Sequence, residues 1–82
     1  MTITVNLEWV GSNWSAYAPD LEDVVVATGK TRDETIQRFR DALLGLLEYQ
    51  RAQGKDVPVV TALDIHETRE ITTLEPTFVR AV

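Results

Sequence analysis

Few runs in this chain hold residue types whose spacing suggests chemistry. His66-Glu67-Thr68-Arg69-Glu70 opens like the zinc pattern His-Glu-x-x-His. That pattern works because two imidazoles one helical turn apart bind the same metal while the glutamate handles the proton. His66 is the one histidine in the 82 residues, so the pattern is never completed. It reads as a surface side chain, and no metal site is expected. Gly29-Lys30-Thr31 looks like the end of a phosphate-binding loop, but the first glycine of that motif would fall at position 24, which is Val. Ser12 and Ser15 are the only serines, and neither sits in a Gly-x-Ser-x-Gly elbow. Nothing here predicts a catalytic residue or a cofactor.

Asp20, Glu22 and Asp23 crowd one short turn. Magnesium prefers one or two carboxylates plus water, so this turn has the right donors. A metal nuclease would need further acids converging from other strands. Glu8 shares the outer face of its strand with Asn6, and nothing in the sequence steers Asp64 toward the turn. The turn therefore reads as a solvated acidic surface rather than a catalytic centre. Trp9 and Trp14 have core-face parity and read as a structural cross-strand pair. Tyr17 has the opposite parity, where a half-exposed aromatic suits an interface.

Positioning these residues takes one small domain, residues 1–82. The chain is 44% hydrophobic and 26% charged, which is an ordinary globular balance. It has no cysteine, which excludes disulfides, thiol nucleophiles and cysteine–metal clusters. No apolar run reaches the ~20 residues of a membrane span. The opening Met-Thr-Ile-Thr-Val lacks a basic leader region, so a cytoplasmic location is expected. Net charge is −5, concentrated in residues 1–30 and 56–82 and slightly positive between them. An acidic domain lacks the footprint of direct nucleic-acid binding and suits a basic partner better.

Thr2–Val10 alternates with period two, placing Ile3, Val5, Leu7 and Trp9 on one face. Trp14–Ala18 alternates again. Gly11-Ser12 between them suits a two-residue type II′ turn, which pairs Trp9 with Trp14 and Leu7 with Ala16. Val24–Thr28 reads as a third strand. Thr31 and Glu34 then form a capping box opening a helix over about residues 32–53. Its apolar arc holds Ile36, Phe39, Leu43, Leu46 and Leu47, with Ala42 beside it, and Gly54 closes it. Leu44 falls just outside that arc. Val59–Ile65 and Arg69–Leu74 both carry strand-like residues, and the returning strand is expected near Arg69–Leu74. Residues 59–82 then end in an apolar tail holding Phe78 and Val79. Leu44, Phe78 and Val79 are candidate oligomer contacts, and a dimer or tetramer is expected because small cores often gain stability by assembly. The expected fold class is α+β: a β-β-β-α-β domain whose three- to four-stranded, antiparallel-rich sheet carries one long helix on one face.

Tyr17-Ala18-Pro19-Asp20-Leu21, a short strand, Thr28-Gly29-Lys30-Thr31, Glu34 opening a Leu-rich helix, and Gln53-Gly54-Lys55-Asp56-Val57-Pro58 occur in an order that resembles the HicB-type antitoxin family. The resemblance covers roughly residues 3–58. It implies a β-β-β-α-β domain of degenerate RNase H-like form that neutralises a small basic RNase partner of the HicA type. The family usually has Pro-Gly after Asp-Leu, where this chain has Glu22-Asp23. The 24 residues after Pro58 must also supply the fourth strand. A DNA-binding helix-turn-helix is therefore not expected, and the chain resembles a solitary or truncated member.

The leading expectation is a non-enzymatic protein-binding domain that masks such a toxin. Tyr17 would give an apolar contact and Asp20, Glu22 and Asp23 the complementary charge. The alternative is an orphan homo-oligomer with no toxin partner, assembling through a sheet edge or the tail. A residual metal-dependent nuclease ranks last.

Overall fold

The computed structural model describes residues 1–69. Strand β1 (Thr2–Trp9) and strand β2 (Trp14–Tyr17) form the expected hairpin, with Trp9 opposite Trp14 and Leu7 opposite Ala16. Gly11 has φ +93° and Ser12 does not share the positive sign, the signature of a type II′ turn with glycine first. The Val10 N–H closes the turn on the Asn13 carbonyl at 2.9 Å. The two indoles meet edge to face, with centroids 5.6 Å apart at 61°.

Strand β3 (Val26–Gly29) pairs antiparallel with β2 and starts two residues later than its β-branched run suggests. Helix α1 (Arg32–Ala52) follows. Thr31 caps it, its hydroxyl accepting from the Glu34 N–H at 3.1 Å. The Glu34 carboxylate reaches back one residue further than a standard capping box and accepts from the Lys30 N–H at 3.1 Å. At the other end Gly54 takes φ +78°, and the Gly54 and Lys55 N–H groups bond the Arg51 and Gln50 carbonyls. This is a Schellman closure, which requires a residue comfortable in the left-handed region.

The fourth strand corrects the expectation. It is β4 (Ala62–Arg69), parallel to β1 in the register Ile3–Leu63, Val5–Ile65 and Leu7–Glu67. Leu63 and Ile65 supply the alternating apolar pair that turns this stretch toward the core, and the Thr61 N–H bonds the Met1 carbonyl at 2.9 Å to start the ladder. The rest of the expected Arg69–Leu74 strand, and Phe78 and Val79, lie outside the described residues.

The sheet order is β3-β2-β1-β4, so β3, α1 and β4 make a parallel crossover spanning two intervening strands. The fold is α+β: among the described residues, one helix lies on one face of a mixed sheet. The helix comes closest to β2 and β3, where Ala16, Ala27 and Gly29 are small inward positions and Trp14, opposite Gly29, is the one large one. Over β1 the gap is wider, and larger side chains fill it. Phe39, Leu43 and Leu47 meet Ile3, Val5 and Leu7 there. Thr35, which shows no apolar signal, is fully buried because its helix turn sits on Gly29. Its hydroxyl is satisfied by the Thr31 carbonyl at 2.8 Å.

Candidate functional site

The acidic turn belongs to the β2–β3 connection, and apolar residues pin that connection down. Ala18 and Val25 at its ends are buried, and Leu21 in its middle packs against the core. The Leu21 N–H donates to the Ala18 carbonyl at 3.4 Å and so closes a turn. With those three side chains facing in, Asp20, Glu22 and Asp23 must face out.

They face a cleft. Its second wall is the C-terminal half of α1, through Leu43, Leu46, Leu47 and Gln50. Its third is the segment after the helix, through Lys55, Asp56 and Pro58, which the Schellman closure turns back toward the loop. The cleft is open to solvent along one side and has a volume of about 620 Å³. The Gln50 amide donates to the Asp23 carboxylate and ties the loop wall to the helix wall. Leucines and a proline line the interior, while four carboxylates (Asp20, Glu22, Asp23 and Asp56) stand against one lysine, Lys55. Such a cleft offers an apolar seat inside a negative field, suited to a cationic ligand with an apolar anchor.

The other candidate residues lie elsewhere. Tyr17 is half-buried on the outer face of the sheet, away from the helix, between Val26 of β3 and Asn6 of β1. It is therefore not a wall of the acidic cleft. Leu44 is 50% exposed and lines a separate groove of about 290 Å³ between α1 and the start of β4, with Arg40, Leu43, Val60 and Leu63. His66 lies on β4, not on a helix, and its Nε2 sits 2.9 Å from the Asp64 carboxylate on the same outer face. Glu67 points to the helix side, where it accepts from Arg32 at 2.5 Å and ties the first turn of α1 to β4. Among the described residues, no three His, Asp or Glu side chains gather in a way that would hold a metal ion. No described helix is long and apolar enough to cross a membrane.

Sequence reasoning reached the acids of the loop but not Leu46, Gln50, Lys55, Asp56 or Pro58 as their neighbours. The helix periodicity marks Leu46 as inward-facing, yet only the tertiary path of residues 54–58 shows that this end of the helix meets the loop. No family model, curated protein or solved structure matches this chain.

Proposed function

We propose that this chain is a protein-binding domain of the HicB-like, antitoxin type, which captures a small basic RNase partner of HicA type in the cleft between the β2–β3 loop and the C-terminal half of α1. The observation that carries this reading is the cleft itself, an apolar floor rimmed by four carboxylates and one lysine. The β-β-β-α-β order and the net charge of −5 agree with it. The roles divide by physics. Glu22, Asp23, Asp20 and Asp56 steer a cationic partner and select against acidic ones. Leu21, Leu46 and Leu47 give an anchoring side chain somewhere to lose its water, which sets how long the partner stays. No chemistry is asked of the chain: it inhibits by covering.

The test is capture from the source lysate by wild-type protein and by the double variant Glu22→Lys, Asp23→Lys. The reading expects a stoichiometric basic protein of similar size on the wild type, lost on the variant, which degrades RNA once separated and stops when the chain is added back. Recovery of the bait alone, or equal capture by the charge-reversed variant, would overturn it.

A further inference from the structure

The walls of the acidic cleft do not carry the same charge. Three carboxylates, Asp20, Glu22 and Asp23, stand on the loop wall. The wall after the helix holds Lys55 beside Asp56, and the pair is neutral. Both walls are held in place. The Lys55 N–H donates to the Gln50 carbonyl at 3.1 Å, and the Gln50 side-chain amide donates to the Asp23 carboxylate, so one residue fixes the root of the lysine and the carboxylate on separate walls. Val57, half-buried against the core, pins the lysine's wall from its other end. The Lys55 side chain is itself exposed and forms no ion pair among the described residues. A fixed backbone thus carries a free ammonium on a four-carbon stem at the cleft.

We infer that the cleft admits a segment with one basic residue beside an apolar one and rejects a polybasic run, and that Lys55 is the residue that makes this selection. The inference rests on the reading of the cleft as the partner's seat. A volume of about 620 Å³ falls within the roughly 300–1,000 Å³ of sites that enclose a small ligand, so a short segment fills it rather than a folded surface. The first cation of that segment goes to the loop wall, where the negative field is concentrated. Its stem and the apolar neighbour lie on Leu21, Leu46 and Pro58, with Leu43 and Leu47 behind them in the core. A second cation, on the far side of the apolar residue, comes to the wall of Lys55. There it meets a like charge, which acts against the doubly charged segment and leaves the singly charged one alone. The loop carboxylates attract and the lysine excludes.

Amide NMR titration of the full chain with two probe peptides, acetyl-Arg-Leu-Gln-amide and acetyl-Arg-Leu-Arg-amide, tests it. On the wild type both should shift the amides of Leu21, Leu46 and Lys55, with dissociation constants alike within about twofold. Lys55→Gln removes the charge and keeps the backbone bond that closes the helix. It should tighten the two-arginine peptide about threefold more than the one-arginine peptide, the scale of an exposed ionic contact. Lys55→Arg keeps the charge and should behave as the wild type. A second arginine favoured by the same factor on the wild type and on Lys55→Gln would overturn the inference and leave the reading of the cleft intact. So would a Lys55→Arg protein that behaves as Lys55→Gln. Binding of both peptides that Glu22→Lys with Asp23→Lys leaves unchanged would overturn the reading of the cleft, and the inference with it. Cleft amides that stay unmoved at millimolar peptide would overturn the selection of a short segment.

Discussion

Gly29 is where the helix and the sheet come nearest, and replacing it with alanine should be costly for a reason that can be worked atom by atom. Its φ is not in the left-handed region, so the demand is for space rather than for backbone freedom. A methyl carbon built there would lie 2.6 Å from Thr35 Oγ1, 3.0 Å from Glu34 Oε1 and 3.1 Å from the Thr35 backbone nitrogen. The exposed Glu34 carboxylate can swing aside at the cost of its own hydrogen bond, but the two Thr35 atoms cannot retreat cheaply. The Thr35 hydroxyl is fully buried and donates to the Thr31 carbonyl, the Glu34 carboxylate accepts from the Lys30 N–H, and the nitrogen belongs to the first turn of the helix. Overpacking of this kind costs about 1–3 kcal/mol. Removing a glycine from the unfolded chain returns about 0.4–1 kcal/mol. The net loss should be about 1–2 kcal/mol, against a total of roughly 4–12 kcal/mol for a domain of this length. At about 4–8 °C per kcal/mol, Tm should fall by roughly 5–15 °C. Urea unfolding followed by the fluorescence of Trp9 and Trp14 measures it directly. Thr35→Ala removes the nearest atom, so the double variant should lose less than the sum of its parts by about 1 kcal/mol. A Gly29→Ala protein as stable as wild type, or additive effects in the double variant, would refute the close approach of α1 to β3.

Thr31→Ala removes the acceptor of the Glu34 N–H and should lower unfolding free energy by about 1 kcal/mol in the same assay. A loss under a few tenths would mean that the cap contributes nothing in the folded chain. Arg32 and Glu67 are 46% and 31% exposed at their side chains, so the ion pair joining α1 to β4 is partly screened. A double-mutant cycle through Arg32→Ala and Glu67→Ala should give a coupling of about 0.5 kcal/mol that shrinks at high salt. A coupling that grows with salt would show that packing rather than charge joins the two elements.

The parts of this fold that local patterns specify were legible in advance. Gly11-Ser12 and the alternation on either side each demand the same hairpin register, and the structure adopts it. Thr31, Glu34 and Gly54 likewise mark the helix ends through backbone requirements that depend on few neighbours. The last strand was misplaced because Val59–Ile65 and Arg69–Leu74 carry similar β-branched content. What separates them is long-range: the parallel ladder on β1 begins where Thr61 meets Met1. Thr35 was missed because its burial follows from the absence of a side chain at Gly29, not from its own polarity. The acidic turn was legible by composition, but its cleft was not. Residues 20–23 and 43–58 meet only after the helix has crossed the sheet, and no spacing in the chain records that meeting. Tyr17 has the outward parity expected of it, and that parity places it on the face opposite the helix, away from the acids with which it had been grouped.

Partner binding in the acidic cleft can be mapped directly, since at 9.2 kDa the chain suits amide-resolved NMR. The measurement is a titration of isotope-labelled protein with the basic protein recovered on it, mapping which amides shift. The largest changes should fall on Asp20–Asp23, on Leu46–Gln50 and on Lys55–Asp56, and Glu22→Lys with Asp23→Lys should abolish them. Shifts confined to the outer sheet face around Tyr17 and His66, with the cleft residues unmoved, would contradict it.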